Sequence, residues 1–392
     1  MKIIRVFFLL LCFFVEIAYA QTVVFGTNNY IEYQQGTLPI ILSVPHGGSL
    51  EPSSIPLRTC NNPTTVTDAF TIETALEIKK ILFETTGCYP HIIICHLKRT
   101  KLDCNRTIEN GACSNAEAET AWNEFHNYIT MARIEANKQY NLNTFFIDLH
   151  GHGNPIQRIE LGYLLYDDEL ELSDLTLNTE KYINLSSVKN LAQNNKNNYT
   201  HSELLRGAKS LGSLLNKYNY PAVPSQTIPS PGLNTDYFSG GYITANQTGY
   251  KAGIQISGVQ MELNYTGLRD NQTNRSKFAV AFANAIIEYV NTHFTMAWNS
   301  CKPLSVAQNL SNWNINVYPN PAIQNENLQL SLGTTADIEY SIYNAYGIQV
   351  RKGTIHQSEY TLSTTGLAVG MYLIYFYKSD SRQSIIKKLI IE

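Results

Sequence analysis

Between residues 39 and 264 the chain alternates short apolar runs with longer stretches of helical period, a pattern that few folds accept. "PIILSVP" (39–45) reads as a buried strand ended by Pro and Gly. From Thr67 the pattern turns helical. Thr67 is a candidate cap, Asp68 and Glu73 suit the early turns, and Ile72, Ala75, Leu76 and Leu82 line one face up to Gly87. "HIIICHL" (91–97) is a second strand, and an amphipathic helix follows over 116–139. "NTFFIDLH" and "IELGYLLY" (159–166) are the third and fourth strands. Residues 167–200 are polar and Asn-rich and read as a surface excursion before a helix at 203–217. "AGIQISGVQMELN" (252–264) is a late strand and 276–294 a closing helix. The alternation predicts an α/β domain, with a mostly parallel or mixed sheet and helices on both faces. After Cys301 helical period disappears, and short alternating strands predict a small all-β sandwich.

A length of 392 residues asks for more than one core. With 44% hydrophobic and 16% charged residues the chain is globular, and a formal net charge of −3 does not suggest nucleic acid or an acidic membrane surface as partner. The first twenty residues carry Lys2 and Arg5, an apolar run, then Ala18-Tyr19-Ala20, which reads as an export leader and its cleavage site. Losing Lys2, Arg5 and Glu16 takes the charge to −3 − 1 = −4. The expected division is leader 1–20, α/β domain 21–300, linker 301–312 and sandwich 313–392. Six cysteines remain after the leader, an even number that permits disulfides. Cys104 and Cys113 are close enough in sequence to staple one loop, Cys95 reads as a buried thiol, and no CxxC supports a thiolate metal knuckle.

Ligands bind beyond the carboxyl ends of strands in open α/β sheets. There this chain places His46 in "SVPHGG", Asp148, His150 and His152 in "FIDLHGHG", Glu262 in "VQMELN", and the basic "KRTKLDCNR". A hydrolytic zinc takes neutral nitrogens and a carboxylate and keeps one position for water. His46 and His150 supply the nitrogens. Asp68 is the candidate carboxylate, with Glu51 and Glu73 as rivals. Asp148 or His152 would fix an imidazole tautomer.

Taken in order, "VPHGG", "RTKLDCNR", "FIDLHGHG", "FSGGY" and "VQMELN" resemble the N-formylglutamate amidohydrolase family, which is related to zinc carboxypeptidases and aspartoacylase. The resemblance spans roughly residues 38–294 and implies a carboxypeptidase-like fold with one Zn2+ on His46 and His150. It implies Glu262 as general base on the zinc-bound water, Arg99 as the oxyanion group, and Asn105-Arg106 as the clamp on a substrate carboxylate, with Asp103 orienting an arginine. A glutamate three residues after the first histidine belongs to the carboxypeptidase pattern, and Ser49 stands there instead. The loop "FSGGYIT", Tyr237, Tyr242 and Arg269 are further candidates for substrate contact. Absence of G-x-S-x-G near a strand–helix turn argues against a serine hydrolase.

"NVYPNPA", the strands after it and the closing "KKLIIE" resemble the C-terminal sorting domain of the type IX secretion system of Bacteroidetes-type bacteria. That implies export, the secretion machinery as partner, and a location outside the cell or on its surface; no stretch after the leader is long and apolar enough to span a bilayer. The expected function is a secreted zinc hydrolase cleaving an amide bond of an N-acyl amino acid or peptide that bears a free carboxylate. The alternative is a non-catalytic surface binding protein on a degenerate hydrolase fold.

Overall fold

The computed structural model describes residues 21–141, 143–251, 253–295, 315–333, 337–345, 348–378 and 383–392. The expected leader, the linker 301–312 and Cys301 lie outside the described residues. No described helix is long and apolar enough to cross a membrane.

Eight strands form one mixed sheet: β1 (Val23–Phe25), β2 (Ile31–Gln34), β3 (Ile40–Val44), β4 (His91–Cys95), β5 (Phe145–His152), β6 (Ile159–Gly162), β7 (Ala222–Val223) and β8 (Ser257–Asn264), in the order β1-β2-β4-β3-β5-β8-β6-β7. The centre, β4-β3-β5-β8, is parallel. β2 joins β4, and β6 joins β8, antiparallel. The strands β1 and β2, at one side of the sheet, escaped the sequence pattern because three or four residues carry too little period.

Each face of the sheet carries its own core. Leu42, Val44, Ile92, Ile94, Phe145, Ile147, Leu149, Val259 and Met261 point toward helices Thr71–Thr86 and Gln272–His293. Ile41, Ile93 and Phe146 point the other way, onto Phe125, Ile129, Ala132 and Ala136 of helix Ala116–Tyr140. This is the two-residue period of a pleated strand expressed in burial. Toward the carboxyl ends the first face stays apolar. The second turns polar, with Ser43, Asp148, His150, Gln260, Glu262 and Glu160, all buried.

Several boundaries differ from expectation. Thr67 does not cap the first helix, which starts at Thr71 behind Phe70. Phe70 is left-handed (φ 64°, ψ 16°), at a cost of roughly 1–2 kcal/mol for a bulky side chain. Asp68 therefore sits in the turn before the helix, where Thr71 Oγ1 donates to its backbone carbonyl (2.9 Å). The strand expected over 159–166 stops at Gly162, since Leu164 is also left-handed (φ 67°). The helix expected over 203–217 is two, His201–Arg206 and Leu211–Lys217. Residues 167–200 hold four short helices whose Leu170 and Leu177 are buried in the first core, so the segment packs rather than skirts the surface.

Cys113 pairs with Cys60, across 53 residues, and not with Cys104. Cys104 turns into the second core and is a free buried thiol, as is Cys95. Cys88 is also disulfide-bonded. The Cys60–Cys113 bridge ties the loop leading to Asp68 to the segment after Asp103.

The C-terminal part is all-β. β10 (Asn327–Ser331) lies between β13 (Glu359–Ser363) and β9 (Asn316–Tyr318). A second sheet runs β12 (Gln349–Ile355), β11 (Ile338–Asn344), β14 (Gly370–Lys378), β15 (Gln383–Ile391). All pairs are antiparallel, around a separate core that includes Leu330, Ile342, Ile374, Phe376 and Leu389.

His91, buried at the start of β4, accepts hydrogen bonds at Nδ1 from Tyr33 Oη (2.9 Å) and Gly36 N (3.2 Å). Burial pushes its pKa down to about 3. The unfolded imidazole takes a proton near its ordinary value of about 6.5, so the unfolded state binds more protons between about 6.5 and 3. Stability should therefore fall as pH drops through that window. Urea midpoints at pH 7 and pH 5 check this, and a His91→Gln variant with the same pH dependence as the parent chain would refute it.

Candidate metal centre

Five segments meet at the polar end of the sheet. His46 follows β3, and its carbonyl accepts from Asp68 N (3.1 Å), which folds the loop between them back onto the strand. His150 and Glu262 are cross-strand partners in the β5–β8 register, as are Asp148 and Gln260. Asp103 and Asn105 come from the loop after β4. Gly151 donates its N–H to Asp68 Oδ2 (3.2 Å), and a Cβ at Gly151 would overlap the guanidinium of Arg269.

His46 Nδ1 lies 3.4 Å and His150 Nδ1 3.2 Å from Asp68 Oδ2, and the two rings meet edge to face with centroids 4.8 Å apart. The three candidate ligand atoms all lie within 4.8 Å of one another. On the far side of each ring, His46 Nε2 donates to Asp103 Oδ1 (2.7 Å) and His150 Nε2 to Asp148 Oδ2 (2.9 Å). These acceptors keep the hydrogen on Nε2 and turn both Nδ1 atoms inward. His46 Nδ1 is buried and has no hydrogen-bond partner. A tetrahedral ion with bonds of about 2.1 Å would set its ligands about 3.4 Å apart, which the two nitrogen-to-carboxylate distances of 3.4 and 3.2 Å match, and two imidazole nitrogens with a carboxylate oxygen are a donor set that a divalent cation takes.

The electrostatics point the same way. Burial pushes the Asp68 carboxyl up, but His46 and His150 outweigh it and hold it well below the usual range. Burial likewise opposes ionisation of Asp103, which His46, Arg99 and Arg58 nevertheless keep strongly acidic. Burial lowers the His150 imidazole, yet Asp148, Asp68 and Glu262 together hold it well above its ordinary value. Glu262 is driven up to about 8, mainly by burial; His150 opposes this, while Asp68, Glu160 and Asp148 add to it. Its Oε1 lies 4.0 Å from His150 Nδ1 and accepts from Gln260 Nε2 (3.0 Å). So acidic a pocket favours a cation.

Of the rival carboxylates, Glu51 is exposed and paired with Lys98 (2.6 Å), and Glu73 is exposed on the first helix. Arg99 reaches the centre, with Nε donating to Asp103 Oδ2 (3.0 Å) and Nη1 3.5 Å from Asp68 Oδ1. The pair Asn105-Arg106 divides. Asn105 is buried, its Oδ1 accepting from Ile243 N (2.8 Å) and its Nδ2 lying 3.4 Å from His150 Nε2. Arg106 is exposed and donates to the Asn105 carbonyl (2.8 Å). His152 fixes neither metal-facing imidazole: its Nε2 donates to Arg158 O (2.8 Å) and its Nδ1 accepts from Asn154 N (3.1 Å), so it secures its own loop. Arg269 is buried and donates from Nε, Nη1 and Nη2 to the carbonyls of Leu263, Ala69 and His152, so it anchors the loops around the site. The loop "FSGGY" lies against the site, with Phe238 N donating to Glu160 Oε2 (3.0 Å) and Gly241 packed on Asn105. Tyr237 Oη donates to Leu161 O (2.7 Å), and the Tyr242 ring lies near those of Trp122 and His126.

Four residues went unmarked in the sequence. Ser43 Oγ donates to Asp148 Oδ1 (2.6 Å). Arg58 braces the Asp103 side, donating to the carbonyls of Arg99 (2.6 Å) and Asn110 (3.3 Å). Gln260 and Glu160 flank Glu262. A lone polar residue at every second position of an apolar strand is the signal that would have found Ser43, Gln260 and Glu160.

Residues 316–392 match the family described as "Secretion system C-terminal sorting domain". One solved structure with a local likeness is that of PorZ, described as an essential bacterial surface component of the type-IX secretion system of human oral-microbiomic Porphyromonas gingivalis. It is 19% identical over 20% of this chain, with a TM-score of 0.19, and the match spans 11% of that protein. No curated protein matches the chain. The C-terminal domain is thus a type IX secretion sorting domain, which marks the chain for secretion or the cell surface in Bacteroidetes-type bacteria.

Removing Asp103 would strip the buried acceptor from His46, leave the buried Arg58 without its carboxylate and leave Arg99 with Asp68 alone. Asp103→Ala should cost roughly 3–5 kcal/mol, against about 1 kcal/mol for Ser43→Ala, which removes one hydrogen bond. Urea unfolding of the two variants checks the ranking, and equal small losses would show that Asp103 does not organise the centre.

Proposed function

We propose that this chain is a secreted zinc-dependent hydrolase of the N-formylglutamate amidohydrolase type, on a carboxypeptidase-like fold, that cleaves an amide bond in a substrate bearing a free carboxylate. One observation carries the reading: two imidazoles present Nδ1 to the buried Asp68 carboxylate while other carboxylates hold them from behind, with Glu262 alongside. His46, Asp68 and His150 would hold the zinc. When bound, the ion supplies Lewis acidity and a water acidified toward neutral pH.

The remaining roles belong to the chain. Asp103 and Asp148 hold the Nε2 side of each ring, which turns Nδ1 of both toward Asp68. Glu262, buried with Oε1 4.0 Å from His150 Nδ1, is placed to take a proton at Oε1 and pass it to the leaving amine. Arg99, tied to Asp68 and Asp103, keeps positive charge beside the centre, where a carbonyl oxygen gains negative charge. Arg106, exposed, is the guanidinium open to a substrate carboxylate. Export turns the reading away from formylglutamate itself and toward extracellular N-acyl amino acids or peptides. The sorting domain engages the secretion machinery.

The test is metal content and activity on the same samples. Purified protein should hold about one zinc per chain, lost in His46→Ala and His150→Ala. It should hydrolyse N-acyl amino acids, and Glu262→Gln should keep its zinc while losing roughly 10²- to 10⁴-fold in rate. A folded protein that takes up no metal and cleaves none of these amides would instead be a binding protein on this fold.

A further inference from the structure

Two large aromatic side chains stand in solvent beside the candidate centre, Phe70 at 37% and Tyr265 at 41% exposure. Phe70 occupies the cap of helix Thr71–Thr86 in a left-handed conformation and makes no capping hydrogen bond there. Glycine or asparagine would suit that backbone better, and Ser, Asp or Asn would cap the helix. A strained, exposed, bulky residue two positions from a candidate metal ligand is the kind of outlier that points to a binding role.

Tyr265 begins the turn directly after β8, three residues beyond Glu262. Its ring lies 6.3 Å from that of Phe70, tilted by 34°. Both rings rest on buried guanidiniums, with Arg275 at 5.0 Å from the Phe70 centroid and Arg269 at 5.5 Å from the Tyr265 centroid. The protein holds both cations in place. Arg269 donates to three backbone carbonyls, and Arg275 to Arg269 O (2.8 Å) and Gln272 Oε1 (3.0 Å). Cation–π backing of this kind pins the rings and limits the entropy they lose on meeting a ligand.

The pair is also close to the chemistry. The Arg269 guanidinium packs on Gly151, and Gly151 N–H donates to Asp68 Oδ2. Both aromatics lie past the carboxyl ends of β3 and β8, the side on which such sheets bind ligands.

We propose that Phe70 and Tyr265 form the wall that receives an aromatic or other large apolar side chain of the substrate. The preferred substrates are then N-acyl aromatic amino acids, or peptides ending in such a residue. The proposal rests on the hydrolase reading above and adds its side-chain specificity.

Calorimetric titration of the zinc-loaded full chain with N-acetyl-L-phenylalanine and N-acetyl-L-alanine tests it, alongside hydrolysis of both. The phenylalanine compound should bind at least about tenfold more tightly. Phe70→Gly, which relieves the left-handed strain while removing the ring, and Tyr265→Ala should each abolish most of that preference without changing zinc content. Equal binding of the two compounds, binding of neither, or a preference that survives both substitutions overturns the proposal. Hydrolysis of both with equal efficiency overturns it while sparing the hydrolase reading. Selective binding without hydrolysis of either supports the aromatic wall and removes the hydrolase.

Discussion

Two imidazoles share one buried carboxylate, and each is held from behind by a second one. In that arrangement Asp103, His46, Asp68, His150 and Asp148 form a continuous chain, and the surrounding structure is organised to support it. Burying so many acids is costly unless cations or donors answer each one. Arg99 and Arg58 answer Asp103, Ser43 answers Asp148, and Gly151 N–H together with the two imidazoles answers Asp68. The orphan in the set is His46 Nδ1, a buried lone pair aimed at the space that the other two candidate ligands also face.

The sheet makes this possible by changing character along its length. One face stays apolar throughout and packs on two helices. The other is apolar under helix Ala116–Tyr140 and polar toward the strand ends. The loops that complete the centre are joined to one another as well as to the sheet. The Cys60–Cys113 bridge and the Arg58 hydrogen bonds bind the segment before Asp68 to the segment after Asp103. A covalent tie suits a protein that carries a sorting domain for export, since oxidised cysteines persist outside the cell. The sorting domain has a core of its own and adds no residue to the His46–Asp68–His150 group.

Much of this was legible in the chain itself. "FFIDLHGH" already separates Ile147 and Leu149 from Phe146, Asp148 and His150, because alternate side chains of a strand point to opposite faces. The order of strands and helices, the polar strand ends and the all-β tail follow from the same local periodicity. Boundaries were less legible. Thr67 looks like a cap by residue type, yet the chain uses the turn after it to swing Asp68 toward the imidazoles, and the helix begins later.

Sequence by itself determined the central strands and the long helices, and that several titratable side chains would gather at one end of the sheet, because hydrophobic period and turn chemistry act between near neighbours. Tertiary structure alone decided that Asp68 and not Glu51 or Glu73 meets the two imidazoles, that Asp103 backs His46, that His152 serves its own loop, and that Asn105 turns inward while Arg106 faces out. Those outcomes depend on ring orientation and on contacts between residues as much as 155 positions apart, such as Asn105 and Gln260. No local pattern encodes such contacts; they arise when strand register and loop closure bring distant side chains to one place.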